Sequence, residues 1–305
     1  MATGCRMKCE DPYTDAGGAF SCGKCPACLS IRRRTWAHRI HLESMQHAKA
    51  SAFITLTYSE DKLPVSLREL PTLEPSHLRD WLKRFRKAVY PRSVRSFHIG
   101  EYGDLSERPH YHIALFGLGC CSGGPVETYI KDGKLNFKCL CEMCSVVRTT
   151  WGFGHIMVGT LTAQSAMYIA GYVVKRMTSS QDHRLGGRYR EFAHMSLFPG
   201  IGAYALTPVV SAVSASTRTV PPGLRHSERV YPLGRYIRRK VGHDLSDGSK
   251  EGIRAALGSG EAQDRVQKGM QLVRRYAFDN DLSVSEVFNL INPKTGSYAP
   301  KGKTL

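Results

Sequence analysis

The ten residues RPHYHIALFG (108–117) set His110 and His112 two positions apart at the head of an apolar run. Successive side chains of a β-strand point to opposite faces, so both imidazoles project together and Tyr111 points the other way. The run reads as a core strand, and two imidazoles on one face of such a strand need partners. They can share one divalent cation, for which neutral imidazole is a good ligand. The ordinary alternative is a pair of histidines satisfied by hydrogen bonds.

Other segments supply candidate neighbours. AFITLTY (52–58) is rich in β-branched and aromatic residues and predicts a buried strand. PSHLRDWLKRFRKAVYP (75–91) predicts a helix, with Ser76 at the N-cap and Leu78, Trp81, Leu82, Phe85 and Val89 on one apolar face. VRSFHIGEYG (94–103) and GHIMVGTL (154–161) read as further strands, and TAQSAMYIAGYVVKRM (162–177) as a helix with Ala166, Ile169, Val173 and Met177 inward. This order predicts an α+β fold, a central antiparallel sheet of about five strands with helices on one face. VYPLGRYIRRKVG (230–242) reads as a short basic helix, and 261–278 as one of two helices within 250–291.

The ten cysteines fall into two clusters, each containing the C-x-x-C step whose short loop lets two thiolates reach one tetrahedral Zn²⁺. The first set is Cys9, Cys22, Cys25 and Cys28, with Cys5 a substitute. The second takes Cys141 and Cys144 plus two of Cys120, Cys121 and Cys139, and Cys121 with Cys139 is the preferred pair. No apolar leader opens the chain and no stretch is long and apolar enough to span a bilayer, so a cytosolic, reducing setting is expected. There, structural zinc knuckles are favoured over disulfides. Lys and Arg number 43 against 26 Asp and Glu, a net charge of +17, which points to a polyanionic partner, nucleic acid first. After the first cluster, LSIRRRTWAHRIHLESMQHAKA (29–50) reads as a helix with Ser30 as a cap and a phosphate-contacting face of Arg32, Arg33, Arg34 and Arg39.

Glu101 ends the strand before the histidines, where a hairpin-like neighbour brings its carboxylate to the same ion; His98 and Asp104 compete for that role. Tyr168 and Tyr172 lie four apart on the 162–177 helix, on one face and roughly 6 Å apart along its axis. Lys175 lies on nearly the same face. A metal held by His110, His112 and Glu101 would polarise a phosphodiester, and a tyrosine phenolate would attack in line to give a phosphotyrosine and a free 3′-hydroxyl. Lys175 would lower the phenol pKa or contact a phosphate.

AFITLTY, RPHYHIALFG and YIAGYVVKR (168–176) resemble, in order, the three motifs of HUH rolling-circle replication initiators. The Y-x-x-x-Y form is similar to that of the microviruses. CGKCPACLSIRRRTWAHRI (22–40), GEYG (100–103), WGFG (151–154), MSLFPGIG (195–202) and PLGRYIRRK (232–240) extend the resemblance to the gokushovirus-type initiator. It implies an HUH endonuclease fold and a site-specific single-stranded DNA endonuclease and strand transferase, which nicks an origin to start and end rolling-circle replication of a small circular phage genome. It implies His110, His112 and Glu101 as ligands of Mg²⁺ or Mn²⁺ and Tyr168 and Tyr172 as nucleophiles, with origin DNA, host polymerase and helicase as partners in a bacterial cytoplasm. The expected organisation is a Cys-rich segment (1–30), the nuclease domain (31–180) with a Cys-rich insertion (118–150), a basic extension (181–245), and a helical segment with a tail (246–305). No G-x-x-x-x-G-K-[ST] loop is present, so no ATP-driven helicase is appended. A non-catalytic zinc-containing nucleic-acid-binding protein, or an HUH relaxase or transposase, is the rival expectation.

Overall fold

Residues Ser51–Thr57 and Pro109–Phe116 pair antiparallel along their lengths, at the centre of a five-stranded sheet. A computed structural model describes residues 9–15, 18–47, 50–103, 106–131, 134–175, 182–203, 222–226 and 229–246, with 271, 274–275 and 277–281 beyond them. In chain order the elements are β1 (Tyr13–Asp15), β2 (Gly18–Phe20), α1 (Pro26–Gln46), β3 (Ser51–Thr57), α2 (Pro75–Ala88), β4 (Arg95–Tyr102), β5 (Pro109–Phe116), β6 (Val126–Lys131), β7 (Lys134–Cys139), α3 (Glu142–Trp151), β8 (Ile156–Thr160), α4 (Ala163–Lys175), β9 (Phe192–Met195), β10 (Gly223–His226), β11 (Arg229–Pro232) and α5 (Gly234–Ser246). They fall into two units, residues 39–202 and residues 1–38 with 203–305.

The 39–202 unit is built on the sheet, in the order β8–β3–β5–β4–β9, every pair antiparallel. Its first face presents Ile54, Leu56, Tyr111, Ile113 and Leu115 to Leu78, Trp81, Leu82 and Phe85 of α2 and to Val147 and Trp151 of α3. Each fully buried apolar side chain here contributes about 1.5–3 kcal/mol. Both buried indoles are satisfied: Trp81 Nε1 donates to Thr150 Oγ1 at 3.1 Å and Trp151 Nε1 to the Thr57 carbonyl at 2.9 Å.

The second face is apolar too. Phe97, Ile99, Ala114 and Phe116 are all buried, and a sheet buried on both sides must be covered on both. The expectation of helices on one face is therefore corrected. α4 lies against β4, β5 and β9 through Ala166, Ile169, Ala170 and Val173. The later half of α1 adds a buried ion pair, Arg95 Nε to Glu43 Oε1 at 2.5 Å, and the Gly202 N–H donates to Glu43 Oε2 at 2.6 Å. Burial pushes the Glu43 carboxyl up, but hydrogen bonds from His47, Gly202 and Arg95 more than offset this, and it sits below its ordinary value.

Local details differ from the sequence pattern where a neighbouring residue serves better. Pro75 occupies the first turn of α2, and Glu74 rather than Ser76 is the cap, its carboxylate accepting from the Ser76 N–H at 3.2 Å. The Cys- and Gly-rich excursion holds the β6–β7 hairpin and α3. In WGFG, Gly152 ends α3 in the left-handed region, φ 67°. Gly154 lies so close to β3 that a Cβ there would come 2.3 Å from the Ser59 nitrogen and 2.6 Å from the Thr57 oxygen.

In the other unit, β1 pairs with β2 and β10 with β11, and α5 follows. The 230–242 segment is thus strand and then helix, because Gly234 starts a new turn after Pro232. His38 Nδ1 donates to the Pro232 carbonyl at 3.1 Å, and Arg34 reaches the Val230 carbonyl and stands over the Tyr231 ring. Cys5, Met177 and most of 250–291 lie outside the described residues, where 271, 274–275 and 277–279 are helical.

Replacing Gly154 by Ala is expected to cost about 1–3 kcal/mol by overpacking. Phe85→Ala is expected to cost about 3–5 kcal/mol through the cavity it leaves. Urea midpoints at unchanged slope measure both.

Candidate active site

The register of β3, β5 and β4 decides which side chains meet. His110 pairs with Thr57 and Glu101, and His112 with Thr55 and Ile99. Paired residues share a face, so Thr55, Thr57, Glu101 and both histidines point to the α4 side. His98 is an odd number of residues from Glu101 and points to the opposite face; Asp104 lies outside the described residues.

His112 Nε2 lies 2.8 Å from Glu101 Oε1, and its Nδ1 lies 3.0 Å from the Thr55 hydroxyl. In the neutral ring Nε2–H donates to the carboxylate and Nδ1 accepts from Thr55. His110 Nδ1–H donates to the Arg108 carbonyl at 2.7 Å, which leaves a lone pair on Nε2. Burial, with the neighbouring His112, holds His110 below the ordinary imidazole value and so keeps it neutral. The two rings are parallel within 7°, with centroids 6.4 Å apart. Glu101 and His112 are thus joined, and His110 stands one step along the strand.

α4 sets both phenols against His112. Tyr168 meets the imidazole edge-on with centroids 5.5 Å apart, and Tyr172 stacks on it at 6.0 Å. The Tyr172 hydroxyl donates to the Tyr168 hydroxyl at 2.7 Å. Tyr168 is 44% exposed. Burial, the Tyr168 hydroxyl and the Glu101 carboxylate all push Tyr172 above the ordinary phenol value. Phe53 stacks on His112 at 5.6 Å and meets Tyr168 edge-on, closing the apolar side of the cluster. Lys175 ends α4; its side chain lies outside the described residues.

Sequence reasoning did not single out Thr55 and Phe53. The signal was in AFITLTY: alternate positions 53, 55 and 57 share the face of the histidines once β3 and β5 pair.

Residues 51–177 match the family model of the ORF2-type replication-associated protein. The chain is a microvirus-like replication-associated protein. It is 31% identical over 161 residues to "Replication-associated protein ORF2" of Spiroplasma virus 4, covering 51% of this chain and 48% of that one. It is 30% identical over 164 residues to "Replication-associated protein ORF4" of Chlamydia phage 1, covering 53% and 39%. With "Replication-associated protein VP4" of Bdellovibrio phage phiMH2K it shares 29% over 173 residues, 55% and 52%. The chain thus spans about half the length or less of these curated relatives. No solved structure matches it significantly. Among the described residues, no helix is long and apolar enough to cross a membrane.

The replication-associated segment encloses the second cysteine cluster but not the first. In each cluster, Cys9–Cys22–Cys25–Cys28 and Cys121–Cys139–Cys141–Cys144, all four sulfurs lie within 4.8 Å of one another. Among the described residues only these two groups gather potential ligand atoms so closely, and both could hold a structural zinc. Cys120 is outside the second set, its sulfur accepting from Thr160 Oγ1 at 3.3 Å. The N–H groups of Cys25 and Lys24 donate to Cys22 Sγ at 3.4 Å and hold that thiol down at about 6. Against the upward push of burial, the Cys144 N–H lowers Cys141 to about 6. Thiolates are the form zinc binds. Elemental analysis of the purified chain is expected to find two zinc equivalents, with Cys28→Ser and Cys144→Ser each removing one.

Proposed function

We propose that the chain initiates rolling-circle replication by nicking one strand of DNA at an origin and staying joined to the 5′ end through tyrosine. The observation that carries this reading is the pair of hydrogen-bonded phenols set against His112 and Glu101. An N,N,O donor set suits Mg²⁺ or Mn²⁺ less tightly than it suits later transition metals, so geometry and availability select the ion. His110, through its Nε2 lone pair, with His112 and Glu101, would hold it. When bound, such an ion supplies Lewis-acid polarisation of the scissile phosphate.

The chain's own residues supply the rest. Tyr168 is the first nucleophile. It is the more exposed phenol, so its proton has a route to water, and the hydrogen bond from Tyr172 stabilises its phenolate. Its oxygen attacks phosphorus, the P–O3′ bond breaks, and the 3′ oxygen leaves and takes a proton. Tyr172, kept protonated by burial and by Glu101, is the acceptor for a second transfer. Thr55 and Phe53 hold the His112 ring in orientation, and Lys175, at the end of the same helix, contacts a phosphate.

A labelled single-stranded origin oligonucleotide with Mn²⁺ is expected to give a covalent adduct on a denaturing gel. Tyr168→Phe abolishes the first adduct. Tyr172→Phe slows it about ten- to a hundredfold, the worth of one hydrogen bond to a charged oxygen. An adduct that persists in the double Phe variant overturns the assignment, and a wild type that binds but never forms one leaves a non-catalytic binding protein.

A further inference from the structure

On the face of the sheet away from the tyrosines, a cavity of about 260 Å³ opens between α2 and the edge strand β9. Its apolar floor is Leu78 and Leu82. One wall carries Arg79, Lys83 and Arg86, spaced so that all three fall on one side of the helix. Against these three cations stands one carboxylate, Asp80, which Arg79 and Lys83 share at 3.0 and 3.2 Å. No described residue pairs with Arg86. The opposite wall is the cross-strand pair His98–His194, with rings 5.9 Å apart. His98 Nδ1 is engaged by Ser96 Oγ at 3.3 Å, and no described residue bonds its Nε2. Burial, His194 and Arg86 hold His98 neutral, at about 3, so it offers a hydrogen bond without adding charge. The exposed His194 ring lies 5.1 Å from Phe192, which broadens the aromatic lip.

We propose that this groove is a second DNA site, seating one base of a single strand with its flanking phosphates on Lys83 and Arg86. The proposal rests on the reading that the chain acts on DNA, but not on the nicking chemistry. The cavity is larger than a lone phosphate requires and smaller than a typical ligand site of roughly 300–1,000 Å³. A ring beside a cationic wall is the arrangement that holds an unpaired base and its backbone. A base within a duplex cannot enter it without leaving its partner.

The test is binding of the full chain to a fluorescent single-stranded oligonucleotide over a range of salt, without added Mg²⁺ or Mn²⁺. The Lys83→Gln/Arg86→Gln variant is expected to flatten the slope of log K against log salt by about 1.4, or about 0.7 per lost phosphate contact. His194→Ala is expected to weaken binding about fivefold or more at fixed salt. Both variants keep the wild-type thermal midpoint and still form the tyrosine adduct on a short oligonucleotide. The Tyr168→Phe/Tyr172→Phe protein keeps the wild-type salt slope, so loss of nicking and loss of this site are told apart. An unchanged slope in the double variant overturns the proposal. So does an equal flattening with duplex of the same sequence, which would make the groove a general backbone contact.

Discussion

The alignment of three neighbouring strands, β3, β5 and β4, is the constraint on which the rest depends. It is enforced by burial, because both faces of the sheet are apolar and each is covered by helices. A slip of one residue in β5 would turn Tyr111 and Ile113 toward α4 and drive both imidazoles into the α2 core. Desolvating two imidazoles there without partners would cost several kcal/mol. The core that stabilises the fold is therefore also what aims Thr55, Glu101, His110 and His112 at one helix. The site costs the sheet little, since its polar groups satisfy one another along a single face.

Much of this was legible in the sequence, and for identifiable reasons. Strict alternation in RPHYHIALFG assigns His110 and His112 to one side, and helical spacing assigns Tyr168 and Tyr172 to one side, without any knowledge of the fold. The cysteine sets were legible because C-x-x-C is a local geometry; the choice of Cys121 over Cys120 is fixed in the structure by which sulfur faces Thr160. Pairing between strands was less legible. The exclusion of His98 from the Glu101 face follows from parity only after β4 and β5 are known to pair. Covering of both sheet faces was missed because apolar residues at successive positions of β4 and β5 were read as one buried strand each, not as two faces requiring two layers. The cap of α2 was missed because Pro75 moves the helix start, and the cap with it, toward Glu74.

Charge was legible only as a sum. A surplus of positive residues suggests a polyanion, but not where it lies. The structure resolves part of it into a local pattern: three cations of α2 share one acidic neighbour beside a small cavity, on the face that the tyrosines do not occupy. Other basic residues are committed to the fold, as Arg95 is to Glu43 and Arg188 is to the Leu185 carbonyl and the Tyr102 ring. Counting charges without separating these two populations overstates the surface available to a partner.

The contact between the two phenols carries a further consequence. Hydroxyl oxygens 2.7 Å apart, with one donating to the other, can stabilise a single anion between them. A second ionisation would set two negative oxygens in contact, beside a carboxylate, and is opposed by all three. The pair therefore behaves as one titrating unit that releases its protons in turn, and any chemistry it performs must be sequential.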